Sequence, residues 1–267
     1  MLDRLLYRGA PARLRGRYRT VEGVRVYERY AERRDGPVVV LVHGIGVSGR
    51  YFLPTAGRLA SRCRVYVPDL PGFGRSGRLR GRPTVPRLAG ALYAWLDEAG
   101  LERPDALVAN SFGCQLIVEL AARRPERVAR LVLVGPTVDR HARSLPRQAA
   151  RLALDSFREP PGLWAVELAD YALHLVKSGP AGFVEMVRDT VEEKLARVEA
   201  PTLVVRGARD PIVPRPWAEE VAVRLPRGRL VEVPGVPHAV NYTAPDVLAR
   251  LTLDFLREPP GEPQLTS

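Results

Sequence analysis

The stretch Val108-Ala109-Asn110-Ser111-Phe112-Gly113 decides how this chain is read. A buried-type apolar run, Ala106–Ala109, leads into it, and a stretch of helical periodicity, Phe112–Arg123, leads out. A serine in such a strand-to-helix turn, with small residues two positions to either side (Ala109 and Gly113), has the spacing of a nucleophile elbow. The small flanks matter because the turn is tight and larger side chains would meet neighbouring backbone. The turn lifts the Ser111 hydroxyl above the sheet edge. It also sets the Phe112 N–H at a helix start, where a developing oxyanion is stabilised. A serine here can equally serve as a plain helix cap, so the rest of the chain has to decide.

Outward from the elbow, two kinds of segment alternate. Val24–Tyr30 alternates like a half-buried strand, and Pro37–Val42, Val65–Val67, Leu131–Val134, Leu203–Val205 and Leu230–Val233 read as further short strands. Helix-length stretches lie between them at Tyr51–Arg62, Val85–Ala99, Pro216–Arg224 and Pro245–Leu256. The pattern predicts an α/β fold, a doubly wound, mostly parallel sheet covered on both faces. Between Thr137 and Glu199 no strand signal appears. Ser144–Phe157, Leu163–Lys177 and Gly182–Ala196 read as helices there, punctuated by Pro160-Pro161-Gly162 and Ser178-Gly179-Pro180. We therefore expect a core from residues 1–136 and 200–257, a helical cap from 137–199, and a disordered tail from 258–267. Leu168, Tyr171, Ala172 and Leu175 form an apolar stripe expected to cover the strand-end loops. Trp164, Tyr171, His174, Phe183 and Met186 are candidates to line a pocket beneath the cap.

The strand ends carry the remaining chemistry. His43-Gly44-Ile45-Gly46 follows the first buried strand, so Gly44 lies at the candidate pocket and the Ile45 N–H is a candidate second oxyanion donor. His43 and, in Pro68-Asp69-Leu70-Pro71-Gly72, Asp69 read as residues that brace their loops. Asp210 leaves the Leu203–Val205 strand, and His238 leaves the Leu230–Val233 strand. Among four histidines, only His238 follows both the serine and a strand-end acid. A serine needs a base within hydrogen-bond reach; imidazole supplies it near neutrality, and an acid fixes its tautomer. Asp139 also follows a strand, but at the entry to the cap, so Asp210 is preferred.

Composition excludes several classes. The chain has 267 residues, of which 46% are hydrophobic and 27% charged, enough to bury a large core. The net charge is +11, and among 41 basic residues only Lys177 and Lys194 are lysine. Arginine spread over every segment, with no interleaved basic–aromatic module, does not suggest nucleic acid as a partner. Cys63 and Cys114 read as reduced apolar fillers. Charges at Asp3, Arg4 and Arg8 interrupt any signal-peptide core, and the longest apolar run, Val38–Val42, is far too short for a membrane span. We expect a cytoplasmic monomer or homodimer that acts on a small molecule, without stable membrane insertion. No metal-ligand spacing appears, so no metal or other cofactor is expected.

The HGIG loop, the DLPGFGRSG loop, the ANSFGC elbow, the GARD turn and the GVPH turn, in that order, resemble the α/β-hydrolase superfamily from about Val21 to Leu256. The resemblance implies a sheet of about eight strands, a cap inserted after the strand ending at Gly135, and a Ser111–Asp210–His238 triad with the Ile45 and Phe112 N–H groups as oxyanion hole. Asn110-Ser111-Phe112-Gly113 resembles the elbow of hydrolases that cleave carbon–carbon bonds in meta-cleavage products. Those enzymes place tryptophan after the histidine and Pro-Gly in the oxyanion loop; here Ala239 and Val47-Ser48 stand there. Ser111 departs from the aspartate nucleophile of the superfamily's epoxide hydrolases and dehalogenases. The implied activity is an esterase-like hydrolysis of a small ester or thioester, with carbon–carbon bond hydrolysis as the alternative. A non-catalytic binding protein on the same fold remains a third reading.

Overall fold

A computed structural model describes residues 12–178 and 180–259. One eight-stranded sheet organises them, in the order β1-β2-β4-β3-β5-β6-β7-β8. The strands are β1 (Arg15–Val21), β2 (Val24–Ala31), β3 (Val38–Val42), β4 (Arg64–Pro68), β5 (Ala106–Asn110), β6 (Leu131–Val134), β7 (Thr202–Gly207) and β8 (Gly228–Val233). β1 and β2 pair antiparallel, as do β2 and β4; every other neighbouring pair is parallel.

The continuous apolar runs arise because both faces of the sheet are buried. Side chains alternate along a strand, and the alternation divides β3, β5, β6 and β7 between two cores. Val40, Val42, Leu107, Leu133 and Val204 pack beneath α2 (Val85–Glu98), α3 (Phe112–Arg123) and α7 (Arg215–Arg224). Val39, Leu41, Val108, Val132 and Val205 pack against α1 (Leu53–Leu59) and α9 (Pro245–Arg257) on the other side. A short helix, α8 (Val240–Thr243), follows β8.

The strand β1 escaped the sequence reading because its alternation is carried by arginine. Arg17 and Arg19 both donate to the fully buried Glu28 of β2, which also accepts from Trp95 Nε1 at 2.7 Å. Burying that carboxylate is tolerable only with such partners.

Between β6 and β7 only helices and turns occur among the described residues: a 3₁₀ turn Arg140–Ala142, then α4 (Leu145–Ser156), α5 (Pro161–Ser178) and α6 (Ala181–Arg188), then two more 3₁₀ turns, Val191–Glu193 and Leu195–Arg197. The third expected helix is therefore half as long as its periodicity suggested. Of the expected apolar stripe on α5 only Tyr171 faces inward; Leu168 is 74% exposed, Leu175 52% exposed, and Ala172 exposed. The buried positions are instead Leu163, Val166, Asp170 and His174. Of the expected tail, Glu258 is tied down by Arg229 and Arg130; residues 260–267, like 1–11 at the other end, lie outside the described residues.

Candidate active site

The end of β5 builds the centre of the site. Ser111 has φ +56° and ψ −123°, a backbone conformation that side-chain-bearing residues rarely hold. Its N–H donates to Val134 O at 2.9 Å, and α3 begins at the next residue. The first N–H groups of a helix have no intrahelical acceptor, which leaves Phe112 N–H available at the turn. Close packing explains the small neighbours. A Cβ on Gly113 would lie 2.7 Å from the carbonyl oxygens of both Val42 and His43, and one on Gly44 would lie 3.2 Å from Ser111 Cβ.

The β8 loop brings His238 to the same cavity. His238 Nδ1 lies 2.7 Å from Asp210 Oδ2. Asp210 Oδ1 accepts from the N–H groups of Ile212 and Val213 at 2.8 and 2.9 Å, which fixes the carboxylate's orientation. Gly207 permits the approach of the β8 loop, since a Cβ there would come within 2.1 Å of Pro237 O. His238 Nε2 is buried with no hydrogen-bond partner. Asp139 is occupied elsewhere, accepting from His141 N–H and Arg151.

Ser111 and His238 line one cavity of about 260 Å³ together with Gly44, Ile45, Asn110, Tyr171, Phe183 and Met186. Asn110 also donates to Val134 O at 3.2 Å and to His238 O at 3.4 Å, so it ties the histidine loop to β6. Trp164 does not line the cavity. Its indole N–H donates to Ser156 O at 2.7 Å, which holds the ring on the outer side of α5. His43 is buried and its Nε2 accepts from Leu70 N–H at 3.0 Å; burial pushes its pKa down to about 4, as suits a neutral brace. Asp69 accepts from Arg29, Gly49 N–H and Arg75 N–H, fastening its loop. His174 stacks on Phe73 at 4.3 Å and is likewise outside the cavity lining. Cys63 and Cys114 are free and buried.

Three carboxyl groups above the histidine were not foreseen. Asp155 accepts from His238 N–H at 3.2 Å, and Glu159 accepts from Ala239 N–H and Thr243 Oγ1, each at 2.7 Å. Glu167 lines the cavity beside Asp155. Burial and mutual repulsion push both Glu159 and Glu167 up to about 7. Burial alone would depress His238, but Asp210, then Asp155 and Glu159, hold its proton and push it up to about 9. One signal was present in the sequence: Asp155 sits in the last turn of α4, where a negative charge opposes the helix dipole and needs another reason to be there. Among the described residues no group of three or more His, Cys, Asp or Glu could hold a metal ion. No described helix is long and apolar enough to cross a membrane.

Comparison with known proteins gives the family. Residues 39–251 match the profile of the alpha/beta hydrolase family, and the chain belongs to that family. It is 29% identical over 84% of its length to the protein named "Putative carbamate hydrolase RutD" of Pseudomonas savastanoi pv. phaseolicola, covering 95% of that protein. It is also 29% identical over 77% of its length to the pimeloyl-[acyl-carrier protein] methyl ester esterase of Chromobacterium violaceum, covering 88% of it. The crystal structure of the enol-lactonase from Burkholderia xenovorans LB400 shares the fold, with a TM-score of 0.77 at 24% identity over 91% of this chain and all of that one. The chain is thus a hydrolase with named carbamate-hydrolase and esterase relatives.

Proposed function

We propose that this hydrolase cleaves a small, mainly apolar ester, thioester or carbamate through an acyl-enzyme on Ser111. The observation that carries the reading is the strained Ser111 backbone at the floor of a cavity shared with the Asp210-bound His238. His238 Nε2 takes the Ser111 proton as Oγ attacks the carbonyl carbon, and the Ile45 and Phe112 N–H groups hold the oxyanion. The proton passes to the leaving alcohol, thiol or amine. Water, deprotonated by the same histidine, then releases the acid and regenerates Ser111. Asp210 keeps Nδ1 protonated throughout and stabilises the imidazolium. Residues 137–199 act as a cap that excludes water and sets substrate size. Two free thiols and no membrane-crossing helix among the described residues are consistent with action in the cytoplasm.

A panel of esters of graded chain length, one carbamate and one vinylogous diketone tests this. Turnover of at least one acyl substrate is expected, and Ser111→Ala should lower its kcat by about 10⁶ with the fold intact. Cleavage of the diketone alone would transfer the assignment to carbon–carbon bond hydrolysis. Undiminished turnover in Ser111→Ala would remove the serine mechanism altogether.

A further inference from the structure

The helix α5 is amphipathic in the wrong sense for a covered helix. Its inward half carries Glu167, Asp170 and His174 among Leu163, Val166 and Tyr171. Its outward half consists of Trp164, Ala165, Leu168, Ala169, Ala172, Leu173 and Leu175, all exposed and all apolar. At about 100° per residue these positions span half the circumference. The polar inner half has a local explanation. Asp170 accepts from Ser48 N–H at 3.0 Å and Ser48 Oγ at 2.6 Å, His174 Nδ1 lies 3.2 Å from Gly72 O, and Lys177 donates to Gly74 O and Ser76 O. Nothing among the described residues covers the apolar outer half. At the end of α4, Leu154 is exposed too, as is Phe157, 82% exposed and next to the Ser156 carbonyl that accepts the Trp164 indole N–H.

Along the segment that carries this face, the solvent-facing charges have one sign. Between Ser144 and Ser178 the carboxylates of Asp155, Glu159 and Asp170 are buried and Glu167 turns to the cavity, while Arg147 is exposed and Arg151 and Arg158 are partly so. At the end of α5, Lys177 joins Arg25, Arg75 and Arg78 in lining a groove that no carboxylate lines. Two copies meeting through this face would bring like charges together. An anionic phospholipid surface satisfies both features, taking the apolar side chains among its acyl chains and the arginines at its phosphates.

We propose that the outer face of α4 and α5 docks on anionic phospholipid membranes. The inference is independent of the serine chemistry, because binding can be read without turnover.

The test uses the full chain with vesicles of phosphatidylcholine, with and without phosphatidylglycerol. Trp95 and Trp217 are buried, so Trp164 reports on the face. Binding to the phosphatidylglycerol vesicles should be at least about tenfold tighter than to phosphatidylcholine and should weaken with salt. Brominated acyl chains should quench the tryptophan emission. Leu168→Gln with Leu175→Gln, both at exposed positions, should weaken binding about tenfold and leave hydrolysis of a soluble ester unchanged. Arg25→Gln with Arg78→Gln should flatten the salt dependence. Equal binding to both vesicles, or full binding by the leucine variant, would overturn the proposal. So would a solution dimer that the leucine variant dissociates while the wild type ignores vesicles; the face would then belong to a second copy.

Discussion

At the residue scale, the site depends on which carboxylates see His238. Asp210 touches Nδ1, whereas Asp139 is held by Arg151. Asp210→Asn should therefore cost about 10⁴ in kcat, and Asp139→Asn should leave kcat within a few-fold of wild type; steady-state kinetics on one accepted ester decides between them. The cap carboxyls make a second prediction. His238 must be neutral to act as base, and Asp210, Asp155 and Glu159 raise its pKa to about 9. The acid limb of the pH–rate profile should thus lie above the ordinary imidazole value, with activity rising as pH rises through it. Glu159→Gln removes a negative charge, so the imidazolium loses support and the limb should move to lower pH. An unmoved limb would show that Glu159 only fastens the loop through Ala239 and Thr243. Ser111, Asp210 and His238 were legible in the sequence as candidates because each follows a strand at a punctuated loop. The carboxyls were not, because they reach the histidine from a separate helical segment, and no local pattern encodes that approach.

At the scale of elements, the Ser111 turn and the helical segment between β6 and β7 differ. Ser111 keeps its conformation because β5, α3 and the glycines at 44 and 113 leave it no other, and Gly113→Ala should force α3 away from β3. We expect that substitution to destabilise the protein by roughly 1–3 kcal/mol, read from the denaturation midpoint, as overpacking does elsewhere. The segment between β6 and β7 is tied down at Asp170 on Ser48, Lys177 on the Gly74–Ser76 loop, Asp155 on His238 N–H and Glu159 on Ala239 and Thr243. We expect α4 and α5 to exchange amide hydrogens faster than β6 and β7, and to slow when a phosphonate occupies Ser111. Equal protection, unchanged by the inhibitor, would make the segment a fixed layer rather than a lid. The periodicity of α5 was legible but its polarity was not. Hydrophobic spacing identifies a stripe, whereas which side meets the protein was settled here by partners on β3 and β4 loops far away in sequence.

At the scale of the molecule, the parallel core was the most legible part, since strands buried on both faces must be apolar throughout and the order of strand-end loops then fixes where chemistry collects. The edge strand β1 was not, because its stability comes from arginines paired with a buried glutamate rather than from an apolar pattern. The proposed chemistry starts from one atom, the Ser111 Oγ, at the end of β5, in a fold that brings His238 and Asp210 from the loops after two later strands. Mass mapping of the protein after reaction with a fluorophosphonate addresses that atom directly. A single adduct is expected on the peptide containing Ser111, lost in Ser111→Ala and formed far more slowly in His238→Ala. An unmodified protein, or an adduct on any other residue, would contradict it.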